Sequence, residues 1–428
     1  MPFPPINIAV FPSEAENAFE LQKSLRYASG FKVFGASSRS GHARFVFENQ
    51  YDLLPTIQDD KFIPAFNHFL VEKRIDLIFP THDTVVVFFK ENESRLRANV
   101  VSSCLETARL CREKRLLYAL LADEDFCPAV YPDALAIPHY PVFIKPNMGQ
   151  GAQGCLKVSS ADGLYLALAG QSDSIITEYL PGLECTVDCF TDRHGKLLFV
   201  GPRSRDVVKM GIAFASSSVD ITPEIKQIAE TLNKRIRFRG LWFFQIKQDS
   251  SGRWKLLETS TRIAGTMGLY RQTGVNFALL AAYDALGMDV EIVKNDVPVT
   301  LSRSLAERFS MPLDYDYIYM DLDDTLIVRG KVNLCAIAFI YQCLNNGKSV
   351  ILLTRHDGEP ESYLRSFCIP PFLFESIIHI SPDKLKSDYI NQEKAIFIDN
   401  LFVERREVRA RLGIPVFDVD AVEALLRL

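Results

Sequence analysis

Over its first hundred residues the chain alternates short apolar runs with amphipathic stretches. Residues 6–10, 31–34 and 75–79 have the length and composition of buried strands, and helical periodicity fills the segments between them. Ser13, three positions before Glu16, predicts a capping box that opens the first helix. This alternation is typical of a parallel sheet covered by helices on both faces. The first strand-to-helix turn has no G-x-G-x-x-G motif, so nothing there indicates a dinucleotide site.

The pattern changes between residues 142 and 258, where apolar runs follow one another closely. Polar, glycine-containing turns such as residues 192–196 and 249–253 join them. This spacing predicts antiparallel strands flanked by helices, an α+β arrangement. Residues 296–314 contain two prolines without periodicity and are predicted to be a linker. From Tyr317 onward the alternation of strand and helix returns, which predicts a second parallel sheet.

Composition narrows the class of protein. The chain has 428 residues, of which 48% are hydrophobic, so it has material for about three globular units. Its 48 basic and 53 acidic side chains leave a net charge of −5, with no basic field to hold nucleic acid. The nine cysteines include no C-x-x-C pair, which indicates reduced thiols. No apolar run approaches the ~20 residues that span a bilayer. We expect a soluble cytoplasmic protein.

The segment FIKPNMGQGAQGCLKV, residues 143–158, combines a strand, a lysine, a glycine-rich loop and another strand. Gly149, Gly151 and Gly154 would let backbone N–H groups approach phosphate oxygens, and Lys145 would add a positive charge. A flexible hairpin loop would have the same composition. The loop alone therefore leaves a phosphate site and a plain hairpin equally open.

A second group of residues favours the phosphate site. Gln245 and Glu258 lie on two predicted strands joined by a hairpin, so they can face each other. Ser260, two residues after Glu258, points to the same face, and such oxygen ligands suit Mg²⁺. Arg262 just beyond can stabilise a transferring phosphoryl group. The run ITEYLPGLE, residues 176–184, offers an apolar slot for a purine and carboxylates for a ribose.

Together these features resemble the ATP-grasp superfamily, over roughly residues 1–295. Glutamine at the position of Gln245 is also found in the carbamoyl-phosphate-synthase-like branch. The resemblance implies a Rossmann-like pre-ATP-grasp α/β subdomain at residues 1–105 and an ATP-grasp domain at residues 106–295. It implies ATP and Mg²⁺ as cofactors, with Mn²⁺ left open, and an acyl phosphate made from a carboxylate. Ser260 departs from the pattern, because most members have asparagine there.

The resemblance also implies roles for individual residues. The nucleotide-contacting residues would be Lys114, Lys145, Gly149, Gly151, Gly154, Glu178, Leu180 and Glu184. The metal ligands would be Gln245, Glu258 and Ser260, and the catalytic cation would be Arg262. The segment GPRSRDVVKMG supplies candidates to hold the acceptor carboxylate or a phosphate on it, with Arg205 preferred over Arg203 and Lys209. For each of these three, a solvated surface charge is the alternative.

The segment YIYMDLDDTLI, residues 317–327, carries a second constellation. It places Asp321 at the carboxyl end of a buried strand, where α/β sheets hold their chemistry. Asp321 would attack phosphorus while Asp323 protonates the leaving group. Thr354 ends the next strand and would bind a phosphoryl oxygen. Asp399 ends a later strand and would bind Mg²⁺.

Lys384 and Lys386 both offer a positive charge for this site, and the sequence does not distinguish them. Residues 315–428 resemble the haloacid-dehalogenase (HAD) superfamily of phosphohydrolases, with DLDDT as the first motif and Asn400 where a second aspartate is usual. The short gaps between the motifs imply an uncapped HAD-like Rossmannoid domain. Its implied metal ligands are Asp321, Asp323 and Asp399.

These resemblances lead to the hypothesis of a bifunctional enzyme, an ATP-dependent carboxylate–amine ligase joined to a Mg²⁺-dependent phosphatase. The phosphatase would act on a related phosphorylated substrate or product. We expect small-molecule carboxylate and amine substrates, no membrane and no nucleic acid, and we leave a homodimer open. The alternative is a nucleotide-binding regulatory or scaffold protein with a degenerate ligase or HAD site. Substrate-dependent ADP release distinguishes the two hypotheses.

Overall fold

The computed structural model describes residues 5–149, 151–169, 173–304, 309 and 311–426. The chain divides into two compact units, Met1–Leu305 (unit 1) and Ala306–Leu428 (unit 2), which are described separately. Gln150, inside the predicted phosphate loop, and part of the predicted linker lie outside the described residues. Within those ranges, no helix is both long enough and apolar enough to cross a membrane.

Unit 1 opens with a parallel sheet and its helices. In chain order the elements are β1 (Ile6–Phe11), α1 (Glu16–Leu25), β2 (Phe31–Ala36), β3 (Asn49–Tyr51), α2 (Phe62–Glu72), β4 (Leu77–Pro80), α3 (Asp83–Glu91) and β5 (Asn99–Val100). The strands lie in the order β3–β2–β1–β4–β5, and each neighbouring pair is parallel. Strand β1 lies at the centre of the sheet. Its apolar residues are buried on both faces, as the sequence pattern predicts for a covered parallel sheet.

Helix α1 begins differently from the prediction. It starts at Glu16, and its N-cap residue, Ala15, makes no side-chain hydrogen bond. Ser13 is buried instead, and its hydroxyl accepts a hydrogen bond from Gln50 Nε2 at 2.9 Å. The predicted capping box is therefore wrong, because the Ser13 hydroxyl is used by a side chain of the sheet. The N-cap side chain therefore satisfies none of the first N–H groups of α1.

Two short helices lead into a small antiparallel sheet. The elements are α4 (Leu105–Arg112), α5 (Lys114–Leu120), β6 (Val130–Tyr131), β7 (Val142–Pro146), β8 (Leu156–Val158), α6 (Ala161–Ala169) and β9 (Ser174–Glu178). The strand order is β6–β9–β7–β8, and Val142, Ile144 and Ile176 form its core with Leu164 of α6. The glycine-rich loop is the β7–β8 connection.

Two antiparallel sheets and their helices form the last part of unit 1. Its elements are β10 (Glu184–Thr191), β11 (Leu197–Ser204), β12 (Val207–Lys209), β13 (Ile212–Ser217), α7 (Pro223–Arg235), β14 (Gly240–Gln248), β15 (Trp254–Ser260), α8 (Gly268–Arg271), α9 (Phe277–Ala285) and β16 (Thr300–Ser302). Four strands pair in the order β11–β10–β14–β15, and three more form the sheet β12–β13–β16.

Strand β16 lies within the residues predicted to be a linker. It pairs antiparallel with β13, and Val299 and Leu301 pack against a core of unit 1. Residues 296–304 therefore belong to unit 1 rather than to an irregular connection, whereas Met311 and Leu313 pack against a core of unit 2. A strand of only three residues near a proline is too short to show periodicity, so the sequence does not predict it. Its hydrogen bonds to β13 define it.

Unit 2 is a second parallel sheet with helices. Its elements are β17 (Tyr317–Met320), β18 (Ile327–Val328), β19 (Lys331–Val332), α10 (Leu334–Asn345), β20 (Ser349–Thr354), α11 (Pro360–Ser366), β21 (Ser376–His379), β22 (Ala395–Ile398), α12 (Phe402–Leu412) and β23 (Val416–Phe417). The order β21–β20–β17–β22–β23 places β17 at the centre, and β18 and β19 form a separate hairpin.

A buried aromatic stack lies against the sheet β11–β10–β14–β15 of unit 1. The ring of Phe238 lies parallel to that of Trp242, with 3.8 Å between centroids. Trp242 Nε1 donates a hydrogen bond to Thr191 Oγ1 at 2.9 Å, and Thr191 donates in turn to Asn233 Oδ1 at 2.7 Å. The Thr191 hydroxyl thus satisfies two polar groups that the core would otherwise leave unpaired.

Replacing Thr191 by valine keeps the shape and removes the hydroxyl. We expect Thr191→Val to lower the free energy of unfolding by about 1–3 kcal/mol, because Trp242 Nε1 loses its acceptor in the core. Both tryptophans of the chain, Trp242 and Trp254, lie in unit 1, so urea unfolding followed by tryptophan fluorescence measures this unit. Thr191→Ser is the control and should unfold close to wild type. Equal stability of the valine variant would contradict this role.

Candidate functional site

A cavity of about 270 Å³ lies in unit 1. Its walls come from the first turn of α1, the start of α3, helices α4 and α5, the glycine-rich loop, and strands β11, β14 and β15. Among the described residues six cationic and three acidic side chains line it, namely Arg112, Lys114, Arg203, Arg205, Arg262, Arg303, Glu16, Asp83 and Glu258. This excess of positive charge suits an anionic ligand.

The hairpin of β14 and β15 places the predicted metal ligands together. Gln245 and Glu258 are direct partners in the register, and both line the cavity. Ser260, two residues farther along β15, is buried and also lines it. Side chains two apart on a strand share a face, so one wall presents an amide, a carboxylate and a hydroxyl.

Asp83 is a site residue that sequence reasoning missed. Its Oδ1 accepts a hydrogen bond from Ser260 Oγ at 2.6 Å, and its Oδ2 accepts one from Arg262 Nε at 3.0 Å. Burial opposes ionisation, but the Arg262 guanidinium and the Ser260 hydroxyl hold the pKa of Asp83 below its usual 3.8. Asp83 opens helix α3 just after a buried strand, a position that could have marked it as a candidate.

The donors on this wall fit Mg²⁺. An amide oxygen, a carboxylate and a hydroxyl are hard oxygen ligands, and Mg²⁺ takes the rest of its shell from water and phosphate. In the described ranges, no three histidine, cysteine, aspartate or glutamate side chains are grouped as a metal site. The set Gln245, Glu258 and Ser260, with its single acid, therefore suits a metal that arrives with a polyphosphate.

Lys145 is buried beside this wall. Its Nζ donates a hydrogen bond to the Tyr118 hydroxyl at 2.5 Å and to the Leu257 carbonyl at 3.3 Å. Burial and the neighbouring Lys114 lower the pKa of Lys145 from 10.5 to about 8, while Glu258 opposes the shift. Two lysines held this closely would both be stabilised by a bound polyanion.

The glycine-rich loop contacts a second turn. Gly151 and Gly154 have positive φ, and Arg112 donates to the carbonyl of Gly149 at 3.0 Å. A Cβ on Gly211, in the β12–β13 turn, would lie 2.4 Å from the backbone of Gly151. Gly149, Gly151 and Gly211 line the cavity, so this close approach helps to shape it.

The predicted nucleoside-contacting residues lie outside the walls of this cavity. Glu178 accepts a hydrogen bond from the backbone N–H of Ala129 at 2.9 Å, and Leu180 is buried. The carboxylate of Glu184 is ion-paired on both oxygens, with Arg205 Nε at 2.7 Å and with Lys247 Nζ at 3.3 Å. These residues keep their predicted nucleoside roles as a proposal.

The three cations proposed for the acceptor differ in placement. The side chain of Arg205 is 7% exposed, lines the cavity and donates to the Gly211 carbonyl at 2.8 Å. Arg203 is buried and also lines the cavity, whereas Lys209 is exposed, with its ammonium 5.0 Å from the ring centroid of Phe214.

In unit 2 a buried lysine bridges two aspartates at the carboxyl end of the sheet. Lys386 Nζ lies 2.6 Å from Asp321 Oδ1 and 2.6 Å from Asp399 Oδ2. Burial raises the pKa of Asp321 from 3.8 to about 6; Lys386 opposes this rise and Asp399 adds to it. Lys384 is exposed and makes no such bridge. The geometry thus distinguishes two lysines that the sequence left equivalent.

Two further residues predicted for this site, Thr354 and Asp323, both contact His356. Thr354 is buried, and its Oγ1 accepts a hydrogen bond from the backbone N–H of His356 at 3.1 Å. The carboxylate of Asp323 lies 2.9 Å from His356 Nδ1, and the His356 ring stacks on Tyr363. Sequence reasoning missed His356, although its position two residues after Thr354 was a usable signal.

Residues 171–306 match the family model described as "ATP-grasp in the biosynthetic pathway with Ter operon". Biotin carboxylase from Campylobacter jejuni is similar in structure, with 15% identity and a TM-score of 0.57 over 69% of this chain and 74% of that one. N5-carboxyaminoimidazole synthetase from Staphylococcus aureus has 14% identity and a TM-score of 0.59, over 71% and 83%. An L-amino acid ligase from Bacillus licheniformis has 16% identity and a TM-score of 0.54, over 67% and 75%. No curated protein sequence matches the chain.

The chain has an ATP-grasp fold. Identities of 14–16% show a shared fold and leave the substrate open. None of these comparisons shows a HAD-like domain at residues 315–428, so that resemblance stays a prediction, as does the carbamoyl-phosphate-synthase-like branch. The ATP-grasp cavity contains Asp83 and Arg303, which the sequence did not single out, beside Gln245 and Glu258, which it did.

The lowered pKa of Lys145 has a consequence for stability. Below pH 8 the folded protein holds a charged, buried amine at a cost, and the cost is relieved as the pH rises from about 8 towards 10.5. We expect Lys145→Met to raise the free energy of unfolding at pH 7 by about 1–3 kcal/mol, and the gain to shrink by pH 9.5.

Urea unfolding at both pH values measures this effect. Lys226→Met, at an exposed position on helix α7, is the control and should change stability little at either pH. A Lys145→Met variant that is less stable than wild type at pH 7 would show that the buried amine is not held at a cost.

Proposed function

We propose that unit 1 is an ATP-dependent ligase that activates a carboxylate as an acyl phosphate and passes it to an amine or a related nucleophile. The observation that carries the proposal is a cavity onto which both Gln245 and Glu258 face from paired strands, with Lys114 and the glycine-rich loop in its walls. The family-model match supports it, as do neighbours whose names include a synthetase and an amino acid ligase.

The proposed reaction has two steps. A carboxylate oxygen of the acceptor attacks the terminal phosphorus of ATP, the bond from that phosphorus to the bridging oxygen breaks, and ADP leaves with the electron pair. The amine then attacks the acyl carbon, inorganic phosphate leaves, and the amine loses a proton. Neither step needs a covalent bond to the protein, so positioning and charge neutralisation account for the catalysis.

Each residue has a role that its contacts support. Lys114 and Lys145 would bind phosphate oxygens, and the Tyr118 hydroxyl fixes the position of the Lys145 amine. Arg262 is oriented by its ion pair with Asp83, whose Oδ2 lies 2.9 Å from Arg262 Nη2. It would stabilise the charge on the transferring phosphoryl group.

The cofactor sites follow from the same walls. Gln245, Glu258 and Ser260 would hold Mg²⁺, which when bound neutralises phosphate charge. Leu180 and Glu178 would contact the adenine, and Glu184 the ribose. Because both oxygens of Glu184 are already ion-paired, ribose hydroxyls would add to those contacts rather than replace them.

For unit 2 we propose a HAD-like phosphatase. Asp321 would attack the phosphorus of a phosphomonoester while the bond from phosphorus to the ester oxygen breaks and that oxygen takes a proton from Asp323. A water molecule would then give a proton back to Asp323 and attack the phosphorus, the bond from phosphorus to the Asp321 oxygen would break, and inorganic phosphate would leave. Lys386 would stabilise the negative charge, and Thr354 would bind a phosphoryl oxygen. The proposed Mg²⁺ ligands are Asp321, Asp323 and Asp399; in the described ranges their side chains are not grouped as a metal site, and the Lys386 ammonium contacts both Asp321 and Asp399. Its proposed substrate is a phosphorylated relative of the ligase substrate or product.

Glu258→Gln tests the ligase. The change keeps the shape and removes the single acidic metal ligand of the cavity wall, so ADP formation should fall by ~10²-fold or more with any accepted acid and amine. Lys145→Met should have a similar effect, because preorganised positive charge is lost. Glu230→Gln, on the exposed face of α7, is the control.

Near-normal ADP formation by Glu258→Gln would exclude this metal site. Wild-type protein that binds Mg²⁺–ATP tightly and releases no ADP with a broad panel of acids and amines would instead favour the regulatory alternative. Ser260 stands where most ATP-grasp members have asparagine, and its hydroxyl donates a hydrogen bond to Asp83. This departure is the reason for considering the regulatory alternative.

Asp321→Asn tests the phosphatase. Removing the charged nucleophile should abolish hydrolysis of an aryl phosphate and leave ADP formation by unit 1 intact, because the two units have separate cores. Asp420→Asn, at an exposed position, is the control. Beryllofluoride with Mg²⁺ should lodge against Asp321 in a crystal of the wild type. If wild-type protein neither hydrolyses any phosphoester nor binds the fluoride, the phosphatase proposal fails.

A further inference from the structure

Arg203 has a buried guanidinium nitrogen without a partner. The side chain is 1% exposed and lines the ATP-grasp cavity. Its Nε and Nη2 donate to the two oxygens of Asp188, at 2.7 and 3.1 Å, but Nη1 has no hydrogen-bond partner among the described residues. Buried donors are almost always satisfied, and a charged one left unpaired is costly. A group of this kind is what a ligand in the cavity would complete.

A second arginine lines the same cavity from another sheet. Arg303, one residue past β16, places Nη2 2.5 Å from the carbonyl of Gly265 and Nη1 3.2 Å from Glu16 Oε2. A Cβ on Gly265 would lie 2.4 Å from Arg303 Nη2, so this approach depends on a residue without a side chain. Burial lowers the pKa of Arg303, and the nearby Arg203 adds to that shift. Two guanidinium groups are thus held near each other in a wall of the cavity.

The first turn of helix α1 adds to the positive field. Ala15, Glu16 and Asn17 all line the cavity. The N-cap residue of this ten-residue helix makes no side-chain hydrogen bond. An anionic ligand can therefore accept hydrogen bonds from the first N–H groups of the helix. The Asn17 side chain donates to the carbonyls of Thr81 and Ile263, at 2.8 and 2.9 Å, which holds the turn in place.

These groups line the same cavity as Lys114 and Gly149 but are different residues from those proposed for ATP. Lys145 and Gly149 belong to strand β7 and the loop that follows it. The described acids leave Arg203 Nη1 unsatisfied even though Asp188 neutralises the rest of that guanidinium. In the proposed ligase, Arg262 is assigned to the transferring phosphoryl group and is paired with Asp83. Arg262 is therefore not offered as a ligand for a second anion.

We infer that the acceptor of the proposed ligase carries a second oxyanion besides the carboxylate that reacts, and that Arg203, Arg303 and the first turn of helix α1 bind it. The inference rests on the proposed ligase function and names its substrate class. A dicarboxylic acid and a phosphorylated acid share the required chemistry. Each presents one oxyanion for activation and one for this subsite.

Matched pairs of acids test the inference on the full chain. Succinate is compared with butyrate, and O-phosphoserine with serine, using hydroxylamine as the common nucleophile and measuring both ADP and hydroxamate. We expect one dianionic acid to have a kcat/KM at least tenfold above its monoanionic partner. The pair that responds distinguishes a carboxylate from a phosphate.

Two variants then locate the subsite. Arg203→Lys keeps a positive charge towards Asp188 and loses the forked guanidinium, and Arg303→Gln removes a less buried charge. Each should lower the ratio of kcat/KM for the dianion to kcat/KM for the monoanion by about tenfold to a hundredfold. Arg193→Lys and Arg193→Gln are the matched controls, because Arg193 pairs with Asp289 and does not line the cavity. Arg303→Gln keeps the test valid if Arg203→Lys fails to fold.

Calorimetric titration with succinate, O-phosphoserine and inorganic phosphate separates this inference from the proposed function. Binding of one of these anions to wild type, weakened at least tenfold in Arg203→Lys and Arg303→Gln, supports the subsite even if no acid releases ADP; in that case the ligase proposal fails. If acids release ADP but dianions and monoanions react and bind equally, the ligase proposal stands and the subsite is overturned. Equal binding by wild type and both variants also overturns it.

Discussion

The pairing of strands β14 and β15 is the interaction on which the candidate ligase site depends. Its register sets Gln245 against Glu258 on the cavity face. Trp242 and Phe244, which alternate with Gln245 along β14, are fully buried in the core. Because side chains alternate along a strand, a slip of one residue would put the aromatic rings in the cavity and the ligands in the core. Packing of the core therefore holds the ligands in place.

Paired charges are the second constraint. Asp83 with Arg262, Asp188 with Arg203, and Lys386 with two aspartates all place ionised groups where water is scarce. A buried pair contributes little net stability, because desolvation offsets the attraction, but removing one partner is expensive. Such pairs fix the orientation of a guanidinium or an ammonium before a ligand arrives. This preorganisation is what phosphoryl transfer requires of a protein.

Each unit has its own cores and its own constellation of acids and cations. Unit 1 draws its cavity from helices α1, α3, α4 and α5 and from antiparallel strands, so residues far apart in sequence line it. Unit 2 draws its site from the carboxyl ends of neighbouring parallel strands, where short connections bring Asp321, Thr354 and Asp399 to one edge. The proposed reactions are compatible chemically, since one would make or use a phosphorylated compound that the other could hydrolyse.

The sequence by itself determined the features that depend on local spacing. The strand that ends at Asp321, the loop of Gly149 to Gly154, and the hairpin that opposes Gln245 and Glu258 all follow from alternation and turn residues within thirty positions of one another. Tertiary structure alone decided the rest. Asp83 meets Ser260 across 177 positions, and Lys386 rather than Lys384 lies between the aspartates. Ser13 does not cap helix α1, and its hydroxyl accepts a hydrogen bond from Gln50 instead. Local patterns record which face of an element is buried, but not which distant polar group will meet it, because that choice is made when the sheets and helices pack and nearly all buried donors find acceptors.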